Sequence, residues 1–74
     1  MDYTKFNNNL EMVKVFEKLI VKVKPHVVSV RYCEDDDREY LVTTLNNGYV
    51  YETNVTGNSY MAIIEDWIRT VGYK

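Results

Sequence analysis

The sequence predicts an α+β domain of order α-β-β-β-α, a three-stranded antiparallel meander with two helices packed on one of its faces. Three observations predict it. Apolar residues recur at helical spacing near both ends, β-branched and aromatic residues fill three runs between them, and turn-forming residues separate the runs. A chain of 74 residues with 46% hydrophobic side chains makes one domain over residues 1–74. A domain of that size buries about 60% of its unfolded surface, which leaves little room for a deep active-site cleft.

Residues 1–7 read as a lead-in, with Tyr3 and Phe6 available to the core. Asn8 caps a helix over residues 9–22, and Glu11, three positions on, reaches back to the cap amide. Leu10, Val13, Phe16, Ile20 and Val23 supply its apolar face, widened by Met12 and Leu19. Pro25 ends the helix by disfavouring helical geometry at Lys24. Residues 26–33 then alternate, placing Val28, Val30 and Tyr32 on one side of a first strand and Val27, Ser29, Arg31 and Cys33 on the other. The acidic run Glu34-Asp35-Asp36-Asp37, followed by Arg38 and Glu39, is a poor strand former and reads as a connection.

The two runs over residues 40–45 and 49–53 flank Asn46-Asn47-Gly48, a β-hairpin pattern. A three-residue loop with Gly48 in the left-handed region sets Leu45 against Tyr49, Thr43 against Tyr51 and Leu41 against Thr53. Leu41, Leu45, Tyr49 and Tyr51 then share one face, and Tyr40, Val42, Thr44, Val50 and Glu52 share the other. A two-residue Asn47-Gly48 turn would mix these sets. Thr56-Gly57-Asn58-Ser59 forms a turn that supplies a helix cap. Tyr60, Ile63, Ile64, Trp67, Ile68 and Val71 form the stripe of a second helix, with Gly72 at its end and Glu65, Asp66, Arg69 and Thr70 facing solvent.

The chemistry-bearing residues point away from catalysis. His26 and Cys33 lie on one strand without an acid to orient them. Three consecutive aspartates cannot converge on one cation, and no glycine-rich phosphate loop or pair of catalytic carboxylates is present. The expectation is a protein that is not an enzyme, with no catalytic residue, no cofactor and no metal. A single cysteine rules out an internal disulfide and fits a reducing cytosol, and the first residues lack the basic and apolar regions of a signal peptide. The expected location is the cytoplasm, with no membrane partner.

Binding is better represented. Tyrosine is abundant, at 7 of 74 residues, and Tyr40, Val42 and Val50 form a sheet patch suited to an interface, including self-association. Glu34, Asp35, Asp36, Asp37 and Glu39 offer a negative contact for a basic surface on another protein. Lys14, Lys18 and Lys22 make a row along the first helix, but Glu11, Glu17 and the net charge of −2 disfavour nucleic acid as the partner. The alternatives to a protein-binding inhibitor are an assembly protein that forms a homodimer or small oligomer through the exposed sheet face, and a nucleic-acid-binding regulator.

The element order, the Asn- and Gly-rich hairpin turn and the Tyr-Met-Ala-Ile-Ile-Glu-Asp-Trp-Ile helix resemble small phage-encoded inhibitor proteins, including anti-CRISPR proteins that block RNA-guided nucleases. The resemblance implies a host protein as target, with a nuclease as one candidate, met in the cytoplasm of the host cell. In such inhibitors acidic side chains imitate DNA phosphates on a nuclease's basic surface. It implies that part for Glu34, Asp35, Asp36, Asp37 and Glu39, with Glu65 and Asp66 as outliers. A net charge of −2 and the lysine row restrict the imitation to this one locality.

Overall fold

The computed structural model describes residues 9–72, so the expected cap at Asn8 and the lead-in with Tyr3 and Phe6 lie outside the described residues. Alternation and helical spacing resolve into α1 (Asn9–Val23), β1 (Val27–Asp35), β2 (Arg38–Leu45), β3 (Val50–Asn54) and α2 (Tyr60–Trp67), which continues as a π-helical segment over Ile68–Gly72. The sheet is an antiparallel meander of order β1-β2-β3. Both helices lie on one face of it, where Met12, Val13 and Phe16 of α1 meet Val27, Val30, Leu41 and Leu45 of the sheet and Ile63, Trp67 and Val71 of the C-terminal helix. The thinnest Cα dimension, 17 Å, has room for one sheet and one helical layer.

Trp67 is the centre of this core and is fully buried. Its ring meets Phe16 edge-on, with centroids 5.1 Å apart and planes at 82°, which ties α1 to α2. Its indole Nε1 donates to Thr43 Oγ1 at 2.8 Å, so the one polar atom of the ring is satisfied from the middle strand.

The β2–β3 hairpin has the three-residue loop and register that the sequence predicts. Thr43 pairs with Tyr51 and Leu41 with Thr53. The Leu45 amide donates to the Tyr49 carbonyl, and Gly48 stands at φ 92° with its amide on the Leu45 carbonyl.

Four expectations are corrected. In β1 the register slips between Val27 and Ser29, a bulge that turns Val27 into the core (1% exposed) and Val28 outward (55%), the reverse of strict alternation. On α1 the buried residues are Met12, Val13 and Phe16, with Ile20 packed beside them, whereas Leu10, Leu19 and Val23 are exposed. The acidic run is not a long connection: Glu34 and Asp35 belong to β1, Arg38 and Glu39 to β2, and the turn is Asp36-Asp37 with Asp36 at φ 52°. Gly72 does not end the helix in a left-handed conformation. It belongs to the π-helical segment, and an added Cβ would lie 3.3 Å from Ile68 Cγ2.

The π-helical segment has visible partners. Thr70 Oγ1 donates to the Asp66 carbonyl at 2.8 Å and lies 2.8 Å from Thr53 Oγ1 of β3. The widened turn thus leaves Val71 buried against the sheet while Ile68 turns outward. At the other end of α2, Ser59 Oγ accepts the Ala62 amide at 3.3 Å as the cap, and Asn58 instead donates to Asp66 Oδ2.

Candidate functional site

The pleat decides which acidic residues are available. Successive side chains of a strand point to opposite faces, and directly paired residues of neighbouring strands share a face. Glu39 therefore follows Leu41 and Thr43 to the helix side, and its pair Glu34 goes with it. Asp35, paired with Arg38, faces the opposite side with Cys33 and Tyr40. Asp36 and Asp37 form the tip.

Glu34, exposed, and Glu39, half-buried, both meet Tyr32. The Tyr32 hydroxyl hydrogen-bonds to Glu39 Oε2 and lies 2.9 Å from Glu34 Oε1. It has one proton and donates to one carboxylate at a time. Glu39 also accepts from Asn9 Nδ2 at 3.1 Å and from the Gly57 amide at 3.0 Å, and its backbone exchanges bonds with the Thr56 hydroxyl. One side chain thus joins the start of α1, the end of β1 and the loop before α2. The bond from Tyr32 foremost, then those from Gly57 and Asn9, holds the Glu39 carboxyl below the usual carboxylate range. Burial foremost, then its contacts with Glu39 and Glu34, raises the Tyr32 hydroxyl above its usual range.

Asp35 forms an exposed ion pair with Arg38 at 3.3 Å, and the Arg38 guanidinium sits 5.6 Å from the centre of the Tyr40 ring. Asp36 and Asp37 engage no other described side chain and carry the unneutralised charge of the turn. Of the five acidic residues singled out from sequence, the structure sets Asp35 on the uncovered face, Asp36 and Asp37 at the tip of the turn, and Glu34 and Glu39 on the helix side.

That uncovered face carries Tyr40 and Val42 half-buried in the middle strand and Val50 exposed on β3. Arg31, Val42 and Glu52 form one cross-strand row, and Cys33, Tyr40 and Asn54 the next. The expected grouping of Tyr40, Val42, Thr44, Val50 and Glu52 on this side is the one observed. His26 precedes β1 while Cys33 is near its far end, seven residues and about 20 Å away along an extended chain, so the two cannot form a catalytic dyad. Among the described residues, no three His, Cys, Asp or Glu side chains converge as metal ligands, and no helix is long and apolar enough to cross a membrane.

Sequence reasoning missed Glu17 and Arg31. Glu17 Oε2 accepts the Val30 amide at 2.9 Å across the outer edge of β1. Lys14, Lys18 and Lys22 line the hollows between that edge and α1, and Arg31, set on the uncovered side by its pairing with Val42, flanks them from across the edge. The signal available in sequence was the pairing of a lysine row with a strand arginine, which acquires meaning only once α1 is laid along β1. Comparison with protein-family models, with curated proteins and with solved structures returns no match.

Proposed function

We propose that the chain is a non-enzymatic protein-binding protein that docks through the tip of the β1–β2 turn and the adjoining uncovered sheet face, and that it inhibits a host enzyme as the phage-encoded proteins it resembles do. The observation that carries the reading is the placement of both helices on one face. The opposite face is left with Tyr40 and Val42 on its middle strand and Val50 on β3, and Asp36 and Asp37 stand at the turn beyond one end of it. An apolar and aromatic centre supplies contact area, and the charged turn raises the association rate and rejects acidic partners. Only a basic surface complements this turn, which makes the DNA-binding groove of a nuclease a suitable target.

The test is capture from a bacterial host lysate on the immobilised protein, followed by assay of the captured enzyme. The comparison is a variant carrying Asp36→Asn and Asp37→Asn. Asparagine tolerates the φ of 52° at position 36, so the turn keeps its shape while its charge is removed. An enzyme retained by the wild type, released from the variant and inhibited on adding the wild type supports the reading. Retention indifferent both to this variant and to Val50→Glu refutes it. The same exposed Val50 favours one rival, self-association through this face, which sedimentation at micromolar concentration decides.

A further inference from the structure

We propose that the groove between α1 and the open edge of β1 takes up an extended segment of another protein, acidic at alternate positions, as a fourth strand of the sheet. The site is separate from the turn and the uncovered face, and it stands or falls independently of them.

β1 has nine residues and, among the described residues, only β2 beside it. In an antiparallel ladder, backbone groups alternate between the neighbour and the open side. The Leu45 amide bonds to Tyr49 of β3, so odd residues of β2 serve β3 and even ones serve β1. Arg31 and Cys33, paired with Val42 and Tyr40, are consequently the bonded positions of β1. The amides and carbonyls of Val30, Tyr32 and Glu34 point to the open edge.

Glu17 independently marks that edge. Its carboxylate sits 2.9 Å from the Val30 amide, where the carbonyl of a fourth strand would lie. The side chain satisfies an edge amide that a partner strand would otherwise bond, and it blunts the edge against unselective pairing. A strand entering here lies between a sheet edge and a helix, with main-chain bonds supplying affinity and alternate side chains supplying selection.

The groove's chemistry sets the selection. Leu10 lies at one end and Val21 at the other, both exposed. Lys14, Lys18 and Lys22 line it from α1, Arg31 flanks it from the uncovered side of β1, and Glu17 gives up the Val30 amide to the incoming strand. Such a channel favours carboxylates on the incoming segment, at the alternate positions that the pleat turns towards α1.

The probe is a short fluorescein-labelled peptide of alternating glutamate and threonine, followed by fluorescence anisotropy at low and high salt and by the amide resonances of Val30 and Tyr32. Salt-sensitive binding that shifts those two amides supports the proposal. So does weakening of about tenfold by Lys18→Glu with Lys22→Glu, both on the exposed side of α1. Equal binding of a lysine-threonine peptide overturns it, as does undiminished binding of a peptide whose backbone amides are N-methylated. Tighter binding of a DNA or RNA oligonucleotide at the same lysines would make the row a phosphate ridge and overturn the strand reading. A dimer in sedimentation that is lost on the same charge reversal would give the groove to a second copy and overturn it equally.

Discussion

Replacing Thr43 with valine isolates the bond that holds the core in register. Thr43 and Trp67 are both fully buried, and the bond between them is 2.8 Å long. Valine has the shape of threonine, so no cavity opens, and exchanging a hydroxyl for a methyl gains up to about 0.8 kcal/mol of apolar burial. Against that, the indole N–H loses its acceptor with no water in reach, which costs about 1–3 kcal/mol. The expected net loss is about 1–2 kcal/mol, or roughly 5–15 °C in Tm for a domain of this size. Thr43→Ser keeps the acceptor and loses only a methyl, at about 1 kcal/mol. The assay is urea unfolding followed by far-UV circular dichroism, since the chain has a single tryptophan and the cycle requires Trp67→Phe. In the Trp67→Phe background there is no N–H to strand, and the valine penalty should vanish, a coupling of about 1–2 kcal/mol. An equal valine penalty in both backgrounds, or a Thr43→Val protein as stable as wild type, would refute the reasoning.

Three further outcomes follow from local geometry. Glu39 has a lowered pKa, so its contribution is present above the unfolded carboxyl's 4.5 and is lost as pH falls below that. Tyr32 has a raised one, so its contribution is complete below the unfolded hydroxyl's 10.0 and is lost as pH rises beyond it. Tyr32→Phe should cost about 1 kcal/mol at neutral pH and flatten both arms of a plot of urea midpoint against pH, and an unchanged plot would contradict the assigned bonds. Val27→Ala should cost about 2 kcal/mol in urea melts and Val28→Ala almost nothing, whereas strict alternation in β1 requires the opposite order. Gly48→Ala should cost about 1 kcal/mol from its φ of 92° alone, while Gly72→Ala should stay within about 0.5 kcal/mol, its helical gain offset by the close Ile68 methyl.

The parts of this fold that sequence reveals are those in which residue type and position agree. A three-residue loop with Gly48 in the left-handed region sorts the residues of the hairpin cleanly by polarity, so the pairing of β2 with β3 was legible down to register. β1 was not, because Val27 and Val28 are the same residue and either phase of the bulge reads alike. α1 presents apolar residues almost all round, Val15 and Val21 included, and only the sheet beneath it selects Met12, Val13 and Phe16. The π-helical segment hides behind the spacing of Trp67, Ile68 and Val71, which an unbroken α-helix fits equally well. Charge concealed parity in the acidic run: five similar residues look like one surface, yet the pleat turns Glu34 and Glu39 to the helix side, where both meet Tyr32. The uncovered patch of Tyr40, Val42 and Val50 was legible because it follows from the hairpin register.

Net charge is the least informative number for this molecule, and the reason is spatial. The free aspartates stand at the turn that ends β1, while Lys18 and Lys22 lie beside its beginning. A nine-residue strand separates them by about 30 Å, several Debye lengths at physiological salt. Each locality therefore acts on a partner with nearly its full charge, although the whole chain sums to only −2. Two surfaces so placed are energetically independent. Removing the charges of Asp36 and Asp37 should leave binding of an acidic peptide at α1 unaltered within about 0.5 kcal/mol, and reversing Lys18 and Lys22 should equally spare any complex formed through the turn. Calorimetric titration of each single-surface variant and of their combination checks this, and a coupling well above that bound would mean that the two surfaces meet the same partner at once.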